Sequence, residues 1–326
     1  MKAAVYYRYG PPNVVALAEV PKPLPAQNEV LIRIHATTVS SGDWRARSLQ
    51  LPAGFNLLGR LVFGILGPRQ PILGAELSGV VEAVGSSVSR FKAGDEVMAF
   101  PGGAFGCHAE YRTMSEEGPI ALKPANLSHA EAASLSFGGI TALGFLRDKG
   151  NIQQGDKVLV VGASGAVGTA AVQLARHFGA TVTGVCSAAN ADLVLSIGAT
   201  RVIDYKKEDF AAAGEKWDII LDTTATVPFA RAEGALASGG RLLVVLASLR
   251  QSMAKPSRAS GKRIIAGIVT TRVEDVQFLA ALAAASQLRP VIDRLYPLAD
   301  AGEAHAYVDT GRKRGSVVLS VGESIQ

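Results

Sequence analysis

The sequence predicts an α/β fold in which a doubly wound parallel sheet is joined to a β-rich domain. Three observations support this prediction. From about residue 124 short β-branched runs alternate with helical stretches, a glycine-rich turn joins one such run to a helix, and the first third of the chain is typical of strands. The chain has 326 residues, 48% of them hydrophobic and 19% charged, which is a globular composition of about two domains.

The first third of the chain predicts strands that are separated by turns. Val, Ile and Leu are concentrated in residues 14–20, 29–39 and 75–84, and Pro and Gly residues separate these runs. Helical periodicity is weak throughout this part. We therefore expect residues 1–123 to form the β-rich domain.

Residues 124–270 predict the doubly wound sheet of about six parallel strands. Buried parallel strands are nearly continuous apolar runs, and residues 158–161 and 242–246 have that pattern. The expected strands are 157–161, 181–186, 201–204, 217–222, 241–247 and 263–269, and the expected helices are 166–178, 191–197 and 229–237.

The last segment, residues 271–326, is too short for a domain of its own. Helices are expected over 274–285 and 301–308, and a strand over 316–321. We therefore expect this segment to pack on the β-rich domain.

A glycine-rich turn is the strongest local signal. It has the spacing GxxGxxG between a strand and a helix, where a first glycine permits the tight turn and a second lets the backbone approach a pyrophosphate. The helix that follows offers free N–H groups to the phosphates. The alternative is a plain strand-to-helix turn of another doubly wound protein. The expected dinucleotide-binding residues of the turn are Gly162, Ser164, Gly165, Ala166, Val167 and Gly168.

The end of the second strand favours NADPH over NADH. An acidic residue there would bind the adenosine ribose hydroxyls of NAD, but residues 185–190 contain none. Ser187 and Asn190 can donate hydrogen bonds to a 2′-phosphate without repelling it. Lys206 is the nearest basic candidate by strand order.

Five motifs taken together resemble the zinc-less quinone oxidoreductase branch of the medium-chain dehydrogenase/reductase superfamily. They are residues 74–85 (GAELSGVVEAVG), 91–97 (FKAGDEV), 139–142 (GITA), the glycine turn, and 198–205 (GATRVIDY). The resemblance covers essentially the whole chain. It implies a GroES-like β domain, a Rossmann domain, an active site between them, and a homodimer, for which the sheet edge at 263–269 is a candidate.

The zinc-dependent relatives differ from this chain at the metal ligands. They carry Cys near residue 40 and Gly-His-Glu at 74–76, where this chain has Ser40 and Ala75, and their four-cysteine structural loop is missing. None of the five His forms an HxxxH pair. The sequence therefore predicts a metal-free site.

A metal-free site restricts the acceptor. Zinc would stabilise the alkoxide of an ordinary alcohol, and no YxxxK motif replaces it. A quinone or an enone stabilises its own anion, so we expect NADPH-dependent reduction of a small, apolar, electron-poor acceptor. The alternatives are an alcohol or aldehyde dehydrogenase and a non-catalytic NADPH-binding protein.

The resemblance also places further residues in the cleft. Thr141 resembles the residue beside the nicotinamide, although it could be a plain helix-interior Thr. Ser40, Ser41 and Asp43 resemble a family Asn-Pro-x-Asp, although Asp43 could serve only as a helix cap. Three more sites complete the prediction: Tyr205 beside the adenosine, Leu246 and Ala247 on the nicotinamide side, and Lys313 on a phosphate or the carboxamide.

The apolar insertion at residues 51–72 precedes the Gly74 motif and should border the substrate mouth. It could form a hydrophobic lid, or equally a dimer or core-packing helix. The net charge of +5 is mild and lacks the aromatic interleaving of a nucleic-acid surface. Two cysteines cannot build a disulfide framework, and neither a signal core nor an apolar run of membrane-spanning length is evident, so we expect a cytoplasmic protein.

Overall fold

The computed structural model describes residues 1–212, 214–253 and 260–322. Its β-strands are β1 (Lys2–Val5), β2 (Ala16–Glu19), β3 (Glu29–Val39), β4 (Leu77–Val84), β5 (Glu96–Ala99), β6 (Tyr111–Ser115), β7 (Ile120–Leu122), β8 (Lys157–Val161), β9 (Thr181–Cys186), β10 (Arg201–Asp204), β11 (Trp217–Asp222), β12 (Leu236–Val244), β13 (Arg263–Ile265), β14 (Ile292–Pro297) and β15 (Ser316–Ser320). Its α-helices are α1 (Ser41–Ser48), α2 (Asn56–Phe63), α3 (His129–Ala133), α4 (Ser136–Leu143), α5 (Ala166–His177), α6 (Ala191–Ser196), α7 (Phe229–Ala235), α8 (Leu249–Ser252), α9 (Val273–Ala284) and α10 (Ala301–Asp309).

A parallel six-stranded sheet forms the predicted doubly wound domain. Its strand order is β10-β9-β8-β11-β12-β13, in which the chain starts in the middle, proceeds to one edge and then returns to build the other half. The two halves meet between β8 and β11, and ligands of such sheets bind outside the carboxyl ends of the strands at this switch point. The predicted fold is confirmed.

A second sheet combines the beginning of the chain with its last segment. Strands β3, β4, β5 and β7 run antiparallel in that order, β6 also pairs with β3, and β15 adds to the free side of β3. Strand β14 then pairs parallel with β15. The boundaries at residues 123 and 270 stay predictions.

Two predicted strands have the wrong limits. Strand β12 begins at Leu236 and ends at Val244, because residues 245–246 turn and Ser248 caps α8. Strand β13 ends at Ile265 instead of residue 269, and Gly267 follows with a φ of 107° that an extended strand does not accommodate. In the described part of the chain, no helix is long and apolar enough to cross a membrane.

Candidate active site

The glycine turn lies at the carboxyl edge of β8, beside the switch point. Gly162 has a φ of 78°, and a Cβ there would lie 2.5 Å from Thr223 Oγ1. A Cβ on Gly168 would lie 2.7 Å from the Cα atom of Ala163, so this glycine lets α5 pack directly on the turn. Both positions therefore require glycine for the fold itself.

Gly165 is different because nothing in the protein fills the space beside it. A Cβ there would meet only the Gly162 carbonyl oxygen, at 3.6 Å. Gly165 is also the N-cap of α5, and no side chain caps that helix end. The N–H groups of Ala166, Val167 and Gly168, in the first turn of α5, are thus available to an anion. These residues fit the pyrophosphate of a dinucleotide.

The loop after β9 contacts the glycine turn. Asn190 Nδ2 donates to Ser164 Oγ at 3.1 Å, which brings two predicted cofactor-binding residues together. Ser187 begins the same loop and is half-buried. Burial raises the pKa of the Cys186 thiol to about 11, so this thiol adds no negative charge at the strand end.

Strand β10 ends at an acidic residue, and two basic residues follow it at the carboxyl edge of the parallel sheet. Asp204 lies beside Cys186 in the parallel ladder, and its carboxylate accepts from the backbone N–H of Lys206 at 3.1 Å. Tyr205 is 59% exposed, and the side chains of Lys206 and Lys207 are also exposed. The predicted adenosine-flanking residue is thus open to solvent and available for stacking.

The last segment of the chain reaches the glycine turn through Gly315. Its N–H donates to the Ser164 carbonyl oxygen at 2.8 Å, and Gly315 forms an isolated parallel bridge with Gly165. Lys313 is half-buried and donates to the Gly315 carbonyl oxygen at 2.7 Å. Burial lowers the pKa of Lys313 to about 8, against the opposing effects of Glu76 and Asp293. The turn and this lysine are therefore neighbours.

Ser40 and Asp43 form a buried cap at the start of α1. Ser40 Oγ accepts from the Asp43 N–H, and Asp43 Oδ2 accepts from both the N–H and the hydroxyl of Ser40. The other carboxylate oxygen accepts from the Gly74 N–H at 2.7 Å. Both carboxylate oxygens of Asp43 therefore accept hydrogen bonds from the protein, and these bonds fix the Gly74 loop relative to α1.

Glu76 is a buried carboxyl group within the motif at residues 74–85, and it is not among the site residues predicted from the sequence. It is 1% exposed and accepts from the Thr38 hydroxyl and, at 2.6 Å, from the Phe137 N–H at the start of α4. Burial raises its pKa to about 7, with a smaller contribution from Asp43, although its hydrogen bonds favour the ionised form. In the sequence, Glu76 is a single acidic residue within an otherwise apolar stretch, and this pattern could have identified it.

Helix α4 carries Thr141 and packs against the start of α5. A Cβ on Gly138 would lie 2.9 Å from the Ala166 carbonyl carbon, so the two helices approach closely there. The Thr141 hydroxyl is half-buried and donates to the Phe137 carbonyl oxygen at 2.7 Å. Its lone pairs remain available. Leu246 and Ala247 follow β12 at the same carboxyl edge of the sheet.

The insertion forms α2 and reaches the doubly wound domain. The Leu249 N–H donates to the Ala53 carbonyl oxygen at 3.0 Å, beside the loop that follows β12. The apolar face that a core-packing helix would bury is exposed. Among the residues that the structure describes, no group of three His, Cys, Asp or Glu is arranged to hold a metal ion.

Comparisons with known proteins place this chain in a family. Residues 26–125 match the alcohol dehydrogenase GroES-like domain, and residues 197–319 match a family described as zinc-binding dehydrogenase. The quinone oxidoreductase of Sus scrofa is 33% identical, over 94% of this chain and 93% of the relative. This chain belongs to the quinone oxidoreductase branch of the medium-chain dehydrogenase/reductase superfamily. It is an oxidoreductase, and its family binds a nicotinamide cofactor.

Other proteins similar to this oxidoreductase have names that describe different activities. The 2-methylene-furan-3-one reductase of Solanum lycopersicum is 33% identical, over 98% of this chain and 79% of the relative. The solved quinone oxidoreductase of Coxiella burnetii is 29% identical, with a TM-score of 0.83 and 99% of each chain covered. A solved NAD-dependent alcohol dehydrogenase is 27% identical, with a TM-score of 0.85 over 99% of this chain and 100% of that chain.

Proposed function

We propose that this protein uses NADPH to reduce a quinone or an α,β-unsaturated carbonyl without zinc. One observation carries the proposal. The two positions where zinc-dependent relatives hold metal ligands are occupied by Ser40, whose hydroxyl is committed to the cap of α1, and by Ala75, which is buried and apolar. Neither of these two side chains is a soft ligand for zinc.

The chain's own residues can hold the dinucleotide at the carboxyl edge of the sheet. The first turn of α5 would bind the pyrophosphate through its N–H groups, in the space that Gly165 leaves open. Ser164 and Asn190 would line the adenosine side, and Leu246 and Ala247 the nicotinamide side. When bound, NADPH supplies hydride from its nicotinamide ring.

Three features support NADPH as the preferred cofactor. Ser187 and Asn190 follow β9 without an acidic residue, the Cys186 thiol is neutral, and Lys206 and Lys207 follow the adjacent β10. Asp204 opposes them, but its carboxylate is occupied by the Lys206 N–H. Because the two lysines outnumber the single aspartate, the local charge favours the 2′-phosphate of NADPH.

The acceptor must itself absorb the negative charge that arrives with hydride. A quinone becomes a phenolate and an enone an enolate, and each is then protonated to give the hydroquinone or the saturated carbonyl. The tomato relative supports the second class, because the compound in its name carries a methylene group conjugated with a ketone. Thr141 would orient the nicotinamide ring. Ser40, whose hydroxyl donates to Asp43, would act on the acceptor side by positioning the start of α1. Asp43 would position both α1 and the Gly74 loop.

An acceptor panel tests the proposal. NADPH oxidation is measured with a quinone, an enone and a simple ketone, and NADP⁺ reduction is measured with a primary alcohol. Each assay is repeated with NADH or NAD⁺. Turnover restricted to the first two acceptors supports the proposal. Efficient turnover of the alcohol with NAD⁺ would instead establish the dehydrogenase, which the similarity to the solved alcohol dehydrogenase keeps as the second candidate. The predicted homodimer through the β13 edge and the cytoplasmic location stay predictions.

A further inference from the structure

Helix α2 and the turn after it expose a continuous apolar surface. Six large side chains within ten positions are between 49% and 103% exposed. Gly59 and Phe63 lie on the opposite side of the helix. Gly59 is buried against Leu51, and the Phe63 ring is 6.3 Å from the ring of Phe105. We call the exposed set the α2 face: Leu57, Leu58, Leu61, Val62, Ile65 and Leu66.

The α2 face is held in place at both ends. Tyr9 donates its hydroxyl proton to the Gly64 carbonyl oxygen at 2.8 Å, just after the helix. Before the helix, the Leu249 N–H bonds to Ala53, and a Cβ on Gly54 would lie 2.7 Å from Leu249 Cβ. The α2 face is therefore a fixed feature that borders the loop after β12, on the side of the proposed nicotinamide site.

The segments that carry and border the α2 face contain no acidic residue. These segments are residues 44–75, which include α2, and residues 234–253, which include α8. Arg60 and Arg69 are exposed within the insertion, and Arg250 is exposed on α8.

Other exposed side chains extend this surface. Tyr7, whose carbonyl oxygen approaches Gly67, is 68% exposed, and Met253, which closes α8, is 71% exposed. Tyrosine is favoured where an apolar phase meets water, because its ring is apolar and its hydroxyl is polar. Apolar residues, an interfacial aromatic residue and arginines thus share one side of the molecule.

We propose that the α2 face docks on the surface of an anionic lipid bilayer. Its leucines and isoleucine would enter the boundary between headgroups and acyl chains, while Arg60, Arg69 and Arg250 would contact lipid phosphates. A second copy of the chain fits less well. In a twofold dimer the same patch meets itself, so these arginines would face one another without an acid in either segment. The docking does not depend on the proposed reductase activity.

Vesicle sedimentation with the full chain tests the proposal. Vesicles of phosphatidylcholine alone are compared with vesicles that contain about 30% phosphatidylglycerol, at low salt and at about 0.5 M salt, where charges beyond about 4 Å are screened. The wild type should sediment with the anionic vesicles at least about tenfold more than with the neutral ones, and high salt should weaken binding. The triple variant Leu57→Ser, Leu61→Ser, Leu66→Ser should no longer sediment with the anionic vesicles.

Matched controls separate docking from misfolding and from self-association. The variant Leu24→Ser, Leu122→Ser, Ile268→Ser removes three apolar side chains of comparable exposure outside the insertion and α8, and it should sediment like the wild type. Circular dichroism and thermal denaturation report on the folding of each variant, and NADPH oxidation in vesicle-free buffer, with a water-soluble quinone, tests the reductase proposal separately. Equal sedimentation of the wild type and the α2 triple variant would overturn the docking. Absence of sedimentation of the wild type would also overturn the docking. A dimer that the α2 triple variant dissociates would then assign the face to a second copy.

Discussion

The Gly315 N–H donates to the Ser164 carbonyl oxygen at 2.8 Å and thereby ties the last segment of the chain to the glycine turn. These residues are far apart in sequence, and each belongs to a different sheet region. Ser164 follows β8 of the parallel sheet, whereas Gly315 precedes β15, which pairs with β3. This one hydrogen bond therefore joins the proposed phosphate site to the sheet that carries the acceptor side.

Two glycines of the turn should respond differently to substitution. Gly165→Val places a side chain in space that the protein leaves open, at a φ of −81° that valine accepts. We expect unchanged stability but a dissociation constant for NADPH at least about tenfold higher, equivalent to about 1.4 kcal/mol. Gly168→Ala is the matched comparison, because its Cβ would collide with Ala163 and cost about 1–3 kcal/mol of stability.

Cofactor titration and thermal denaturation of both variants check this prediction. If Gly165→Val bound NADPH as the wild type does, the space beside Gly165 would not be the pyrophosphate site.

Cofactor preference should depend on the ends of β9 and β10. Ser187→Asp would set a carboxylate against the 2′-phosphate, and we expect kcat/KM with NADPH to fall at least about tenfold with little change for NADH. Lys206→Ala removes an exposed cation and should lower kcat/KM with NADPH by about two- to fivefold. Lys92→Ala, which removes an exposed cation from the β-rich domain, is the control and should leave the NADPH/NADH ratio as it is.

Steady-state kinetics with the two cofactors measure this ratio. An unchanged ratio in Ser187→Asp would place the adenosine ribose away from this loop.

Lys313 should make NADPH binding depend on pH. Because burial lowers its pKa to about 8, its ammonium group loses a proton as the pH rises from about 7 to about 9, and its attraction for a phosphate is lost. We expect the affinity of the wild type to fall over this range, and Lys313→Arg to flatten the dependence because arginine stays charged. Lys313→Met should bind weakly at both pH values. Equal affinity of Lys313→Met and the wild type at about pH 7 would contradict this role.

Glu76 should destabilise the protein as it ionises. Its folded-state pKa of about 7 lies above its ordinary value of 4.5, so the folded state holds the proton more tightly than the unfolded state. The stabilisation is complete below about pH 4.5 and is lost as the pH rises through about 7. Between about pH 6 and about pH 8 we expect the free energy of unfolding to fall by roughly 1 kcal/mol more than in Glu76→Gln.

Denaturant unfolding at the two pH values measures this difference. Identical pH dependence in the wild type and Glu76→Gln would indicate that this carboxyl titrates near its ordinary value.

Local sequence patterns were sufficient to predict most strands of the parallel sheet. Strands β8, β9, β10 and β11 have the predicted limits, because each is a short apolar run that ends at a turn residue. Strand β12 was harder to predict, since its first half contains Gly239, which has a φ of 70°, and only Leu236 of residues 236–240 pairs with β11. Pairing between distant segments leaves no local pattern.

The candidate site was only partly predictable for the same reason. The glycine turn and Asn190 were identified from their places at strand ends, and the hydrogen bond between Asn190 and Ser164 brings them together. The bond between Gly315 and Ser164 and the burial of Glu76 depend on how the two sheets meet. The sequence also did not reveal that α2 exposes its apolar residues, because an apolar run usually predicts burial.

In the proposed reaction the acceptor, and no metal ion, absorbs the negative charge that arrives with hydride. The most direct test measures the zinc content of the purified protein together with NADPH:quinone reductase activity before and after dialysis against a strong chelator. We predict less than about 0.1 zinc per chain and unchanged activity, because Ser40 and Ala75 supply no zinc ligand. Stoichiometric zinc, with activity that disappears on chelation and returns when zinc is added, would contradict the zinc-independent reaction.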